Sequence, residues 1–307
     1  MLQVPAAETA AEGAKEGFKA GDVIIEHVSN SSIDHPLLQL PKVFGVDMSV
    51  TKHVLMLWVV AGLLFLVFTV AVRRYLRQDR QVPSGFMNAL EFVVEFIRDS
   101  VVEPNVGKKW TAAWTPLLLT FFLFILAANL IGLVPIFDVL SLLNRILHVS
   151  PESFMGRVVH GGPTVTGNYN VTAALATITF FAIIVAGARA HGFVQHWVNV
   201  VPKGLPLPLY VILIPIEILG MFVRPFALTM RLAANMTGGH IALLAVMSLV
   251  FIFTGLSGAA AGIGAGVVGL PVTVGISALE IIVILVQAYV FTLLSAVFIG
   301  MAIHAHH

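Results

Sequence analysis

The sequence has 307 residues, of which 58% are hydrophobic and only 11% are charged, and its formal net charge is +1. Soluble domains are about 45–50% apolar, so this composition excludes an ordinary soluble domain and predicts an all-α polytopic membrane protein. The absence of cysteine excludes disulfides, thiolate metal sites and thiol catalysis. The near-neutral charge argues against a nucleic-acid partner, which requires a basic face.

The N-terminal part of the chain differs from the rest in being polar. Residues 1–52 predict an extracytoplasmic segment, and residues 53–307 a membrane domain. The first span, 54–72, carries no charge and is long enough for a hydrocarbon core of roughly 30 Å. A basic cluster follows it, made of Arg73, Arg74, Arg77 and Arg80. Because basic residues stay in the cytoplasm, the N-terminus is expected outside and the C-terminus inside.

Four further hydrophobic segments follow a predicted surface helix. Apolar and charged residues alternate at helical spacing over 84–105, which predicts an amphipathic helix on the inner membrane surface. The second and third spans are expected at 114–136 and 171–188. The last two segments, 207–254 and 270–303, are much longer than the roughly 20 residues that a span needs. They predict two strongly tilted helices in an antiparallel hairpin, joined by a Gly/Ala-rich turn over 255–269.

Charged residues inside the apolar segments are confined to this hairpin: Glu217, Arg224, Arg231 and Glu280. A charge at mid-membrane costs roughly 2.5–3.5 kcal/mol, so such residues usually line an ion path or pair with a partner. The first three recur every seven residues and Asn235 follows one turn later, which places all four on one stripe of a continuous helix.

Equal distance from the turn predicts which residues of the hairpin face each other. With a turn near residue 260, His240 lies at the depth of Glu280, and Arg231 close to that of Gln287. The first layer would hold groups that exchange protons, and the second a guanidinium that cannot lose its charge. Simpler interpretations also stand, since His240 can be a packing residue and Gln287 an interhelical hydrogen-bonding residue.

Several motifs resemble subunit a of F-type ATP synthases. The segment 230–240, MRLAANMTGGH, is similar to that family's signature around an essential arginine, and 286–291, VQAYVF, to its last helix. Residues 129–135 and 169–172 match as well. The resemblance extends from about residue 50 to the C-terminus. It implies a membrane subunit without catalytic activity or cofactor of its own. The absence of a transit peptide and the long outer segment favour a bacterial plasma (inner) membrane over an organelle.

The resemblance also implies partners and residue roles. The partners would be a ring of c subunits, b-type peripheral stalk subunits and the remainder of the ATP synthase. Arg231 would face the ring carboxylates, with Asn235 one turn beyond it. An outer proton half-channel would be lined by His240, Glu280 and Gln287, and an inner one by Glu217. Arg224 and Asn129 are possible accessory residues, and Arg224 can alternatively snorkel to the inner interface.

The chain departs from the family pattern at the outer entrance. Some members carry an acid where this sequence has Gly132, and Asp138 and Glu152 are the candidates to replace it. The acid and the histidine of the pair at 240 and 280 are exchanged relative to many bacterial members, which preserves the pair.

Two other classes of function remain as alternatives. A secondary transporter or cation/proton antiporter also uses intramembrane charges but predicts an inverted repeat, whereas the first three spans here carry no charge. An intramembrane protease would require paired aspartates or a Ser–His pair within the spans. No span contains aspartate, and no serine stands beside His240.

Overall fold

The computed structural model describes residues 21, 25, 36–42, 48–77, 85–133, 165–199 and 206–304. Five helices in these ranges are long and apolar enough to cross a membrane, which confirms the predicted all-α polytopic fold. The helices are α1 (Lys52–Leu76), α2 (Phe86–Glu95), α3 (Glu103–Val106), α4 (Lys108–Leu133), α5 (Tyr169–His191), α6 (Phe193–Val198), α7 (Leu207–Ser257) and α8 (Ala259–Ile303).

The two longest helices form the predicted antiparallel hairpin. α7 has 51 residues and α8 has 45, and a single residue between them, Gly258, makes the turn at φ 84°. This left-handed conformation suits glycine because it has no Cβ. On the two arms, Gly262 packs against the Thr254 side chain so closely that a Cβ would not fit.

The expectation of a turn over 255–269 is wrong, because the last span begins at Ala259 rather than at residue 270. A helix satisfies its own backbone hydrogen bonds, which favours helix in apolar surroundings. Glycine and alanine then serve a different purpose, since small residues let two helices approach closely. In this segment Gly262, Gly266 and Gly269 face the other arm of the hairpin, at Thr254, Val250 and Val246.

The predicted amphipathic helix is continuous from α2 to α3, with a π-helical segment at Phe96–Val102. Ile97, Val101, Val102 and Val106 are fully buried. Their spacing of four to five residues suits the wide turns of a π-helix, whose hydrogen bonds join residues five apart. The π segment thus turns the apolar side of this surface helix onto the bundle.

The main core lies where α4 and α5 pack against the second half of α8. Leu118 and Ile125 of α4 and Ile299 of α8 are fully buried in it. The Phe121 and Phe291 rings meet edge to face with centroids 5.5 Å apart. This core holds α8 in place along its C-terminal half, and α8 in turn positions α7.

Candidate functional site

A histidine and a glutamate face each other between the two long helices. His240 Nε2 of α7 lies 3.8 Å from Glu280 Oε1 of α8. Glu280 is 5% exposed, and neither of its carboxylate oxygens receives a hydrogen bond from the part of the chain that the structure describes. The arrangement matches the equal-depth argument from the sequence and places a titratable pair inside the bundle.

Gly239 makes room for this pair. A Cβ at Gly239 would lie 2.9 Å from Glu280 Oε1, which is closer than real Cβ contacts. The neighbouring Gly238 has nothing within 4 Å of such a Cβ. Of these two adjacent glycines, only Gly239 is therefore needed for the approach of α8.

Arg231 lies on the opposite side of α7 from the bundle. Leu232 and Ala233 are buried against the core, whereas Arg231 and Asn235 are exposed. The small residues Ala234 and Gly238 share the exposed face. Among the described residues, no carboxylate lies within ion-pair distance of the Arg231 guanidinium. The guanidinium therefore points outward from the chain, on a face that a second helix can approach closely.

Gln287 and Arg231 are in different surroundings. Gln287 is 8% exposed and lies on the buried face of α8, two turns from Glu280, or about 10 Å along the helix. Within the described ranges, no hydrogen bond joins Gln287 to Arg231. The second predicted layer, an Arg–Gln pair, stays a prediction.

Arg224 of α7 is directed differently from Arg231. The Arg224 guanidinium lies over the Phe298 ring of α8, 5.5 Å from its centroid, and Arg224 and Glu217 are both half-buried. A cation–π contact contributes about 0.5–2 kcal/mol. The stripe read from the sequence is thus divided, with Arg224 directed onto α8 and Arg231 outward.

A second cluster of polar residues lies near the C-terminal end of α4. Asn129 is fully buried, and its Oδ1 accepts a hydrogen bond from the Thr166 hydroxyl. Asn168 caps α5 by accepting a hydrogen bond from the Asn170 amide at 2.9 Å. The Thr237 hydroxyl of α7 donates to the Gly167 carbonyl at 3.5 Å. These contacts join α4, α5 and α7 at one end of the bundle.

Gly132 is also buried at this end. The two acids proposed to replace the family's acid at this position, Asp138 and Glu152, lie outside the described residues.

Several buried polar residues could not be predicted from the charges within the spans. Thr166 is one, and the buried pair of hydroxyls of Thr179 and Ser295, 3.2 Å apart, is another. Within helices, serine and threonine hydroxyls donate hydrogen bonds to backbone carbonyls of the preceding turn. An apolar run can therefore contain these residues without an evident polar site. The role of Gly239 could not be predicted either, because no spacing rule distinguishes it from Gly238 in the same motif.

These features define a class of protein: an all-α membrane protein with ionisable side chains placed between and beside its two longest helices. A family model described as "ATP synthase A chain" matches residues 54–300. The chain belongs to this family, which confirms the prediction made from its motifs.

Curated relatives agree with the family model. The chain is 41% identical over 297 residues to ATP synthase subunit a 2 of Chlorobium luteolum, covering 94% of this chain and 77% of the relative. It is 38% identical over 310 residues to ATP synthase subunit a of Pelodictyon phaeoclathratiforme, covering 98% and 82%. The similarity therefore extends over nearly the whole chain.

Proposed function

We propose that this chain is the ion-translocating stator subunit of a bacterial F-type ATP synthase, with a ring of c subunits, b-type peripheral stalk subunits and the rest of the complex as its partners. Membership of the ATP synthase A chain family supports a place in the membrane sector. The observation that carries the proposal is the buried His240–Glu280 pair in the same helix pair that presents Arg231 outward. The N-terminus lies outside the inner membrane, and the C-terminus in the cytoplasm.

The His240–Glu280 pair is the proton-exchanging group of the outer half-channel. Histidine gains and loses a proton near physiological pH, and the neighbouring carboxylate can receive that proton 3.8 Å away. The pair passes the proton to a carboxylate on the ring. The carboxyl group becomes neutral, and a neutral group costs far less to expose to lipid than a charged one. Protonation therefore permits the ring to turn.

Arg231 separates the two half-channels. Its charge is permanent, so it stabilises an ionised ring carboxylate but cannot relay a proton. Two unit charges 4 Å apart attract by about 4 kcal/mol at an effective dielectric of 20. Ala234 and Gly238 beside it allow the ring helix to come close. On the inner side, Glu217 receives the proton that the ring releases.

The polar residues around Asn129 belong to the outer entrance. Asn129 and Thr166 are buried and hydrogen-bonded to each other, at the level where Gly132 lacks the acid of other members. Gln287 continues the outer path from Glu280, and Asn235 takes part in proton translocation one turn beyond Arg231. Arg224 and Asn129 are accessory residues. Because the pair contains histidine rather than carboxylates alone, protons are the ion that it suits.

Replacing the arginine gives the most direct test. We expect Arg231→Ala to abolish ATP-driven proton pumping, because nothing then holds an ionised ring carboxylate or blocks a leak between the half-channels. Pumping is measured by dye quenching in vesicles that contain the assembled complex. Arg98→Ala is the control, since Arg98 is exposed and paired with Asp99 at 2.6 Å. Pumping by the Arg231→Ala vesicles at the wild-type rate would refute the proposal.

A second substitution tests the outer half-channel. We expect Glu280→Gln to slow passive proton conduction by roughly tenfold and to change its pH dependence, because the pair loses one of its titratable members. This factor corresponds to about 1.4 kcal/mol in a barrier. Conduction is measured between pH 6 and 9, with Glu91→Gln on the surface helix as the control. A pH profile identical to wild type removes Glu280 from the path.

A further inference from the structure

A cavity of about 570 Å³ lies between the basic end of α1 and the start of α2. Its walls are mostly apolar and come from both helices, with one charged residue at the end. Among the residues that line it are Leu66, Val70, Ala71, Arg74, Tyr75 and Phe86. This cavity is formed by the first span and the surface helix, and none of its residues belongs to the site on α7 and α8.

Along α1, the apolar wall of the cavity is followed directly by its charged residue, Arg74. Val70 and Arg74 are one turn apart, so the guanidinium lies just beyond the apolar wall, at the end of the span. Arg73 and Arg77 add positive charge at the same level. Of the residues that the structure describes, none that lines the cavity is acidic. Basic pockets at this depth attract the head groups of anionic lipids.

We propose that this cavity binds one anionic phospholipid, with an acyl chain along Leu66, Val70 and Ala71 and its phosphate at Arg74. A guanidinium can form two parallel hydrogen bonds to one phosphate. In a zwitterionic head group, the ammonium of the head group offsets the charge of the phosphate and weakens this attraction. The wall residues Leu66 and Phe86 are about 60% exposed, so the cavity is accessible from the membrane.

Charge favours an anionic lipid over an apolar helix of another subunit. The Arg74 guanidinium at the end of the apolar wall attracts an anionic group, as basic pockets at this depth do. The proposal is independent of the proposed function, because it uses no residue of the proton path.

Lipid retention by the purified complex tests the proposal. The assembled complex is extracted in mild detergent, and the phosphatidylglycerol and phosphatidylcholine retained per complex are counted by mass spectrometry after exchange with an equal mixture of both. Wild type is expected to retain more phosphatidylglycerol than phosphatidylcholine. Arg74→Gln should lower the retained phosphatidylglycerol at this site at least threefold. Val70→Trp should displace the lipid, because the larger side chain would fill the space beside the apolar wall.

Arg73→Gln is the matched control, because it removes the same charge from the adjacent exposed residue that does not line the cavity. Its retention should stay within twofold of wild type, and Arg74→Lys should keep the preference if Arg74→Gln fails to assemble. Equal retention of the two lipids, or an equal loss in Arg73→Gln and Arg74→Gln, overturns the proposal in favour of general surface attraction. A transmembrane helix of another subunit found in the cavity overturns it as well.

Discussion

Two regions of the long hairpin are made of the same kinds of residues and yet are packed differently. In the C-terminal half of α8, residues 280–303, side chains such as Ile284 and Ile299 are fully buried. In the region around the turn, residues 243–274, Ile263 and Leu270 are nearly 70% exposed. We call these the packed half and the free half of the hairpin.

The difference teaches that hydrophobicity alone does not determine burial in a membrane protein. Lipid tails are as apolar as leucine, so no hydrophobic force drives one apolar helix against another. The packed half is held by shape, through α4, α5 and the π segment that fit against it. Among the described residues, the free half packs on its partner arm, through contacts such as Gly262 with Thr254.

The largest contrast is expected between two leucines. Leu118 is fully buried on α4 against the packed half, and Leu256 is 77% exposed in the free half. Leu118→Ala leaves a cavity, which costs about 2–5 kcal/mol in soluble cores; we expect about 2 kcal/mol here, since the transfer term is smaller against lipid. Leu256→Ala should not change stability. Thermal unfolding in detergent measures both, and equal shifts would mean that the two regions are packed alike.

Two glycines of α8 provide a smaller contrast. A Cβ at Gly300 would collide with the Asn105 backbone, whereas a Cβ at Gly275 has nothing within 4 Å. Gly300→Ala should therefore force α8 away from α3, at the roughly 1–3 kcal/mol typical of overpacking. Gly275→Ala should leave the unfolding temperature unchanged or raise it, because alanine favours helix over glycine. A Gly300→Ala chain that melts like wild type would show that α3 yields easily.

The smallest expected effect concerns the pH dependence of stability, through a buried histidine outside the long hairpin. His196 of α6 lies against Gly187 of α5, is 6% exposed, and its Nε2 has no hydrogen-bond partner among the described residues. Burial, and secondarily the nearby His191, lower the pKa of His196 below its ordinary 6.5. The unfolded chain then binds more protons below that pH, so stability is full above pH 6.5 and is lost as the pH falls through it.

The measurement is the unfolding temperature between pH 7.5 and 5.5. The decline should be steeper in wild type than in His196→Gln, in which the residue cannot titrate. Parallel declines in the two chains would show that other histidines carry the pH dependence.

Much of the architecture could be predicted from the sequence because charges mark where apolar helices end. The first three spans follow from charge-free runs and the last two from long apolar runs with few charges. The facing of His240 and Glu280 follows from equal distance to the turn. Helix rise is constant, so depth along a hairpin can be counted from the sequence. The family could be predicted from two short motifs in the same hairpin.

Other features depend on contacts that sequence spacing does not express. The predicted extent of the turn was wrong, because glycine and alanine are typical both of loops and of closely packed helices. The π segment depends on how Ile97 and Val106 fit α4 and α8, which cannot be counted along one helix. The direction of Arg224 onto Phe298 likewise depends on the neighbouring helix, although Arg224 and Arg231 are seven residues apart.

The short turn at Gly258 has a mechanical consequence. Two long helices joined by one residue, and in contact along their length from Thr254–Gly262 to Gly239–Glu280, behave as two beams fastened side by side. Such a pair resists bending more than the two beams would separately. A sideways load on the outward face of α7 is therefore shared with α8 and carried to the packed half, which holds the Arg231 guanidinium in position.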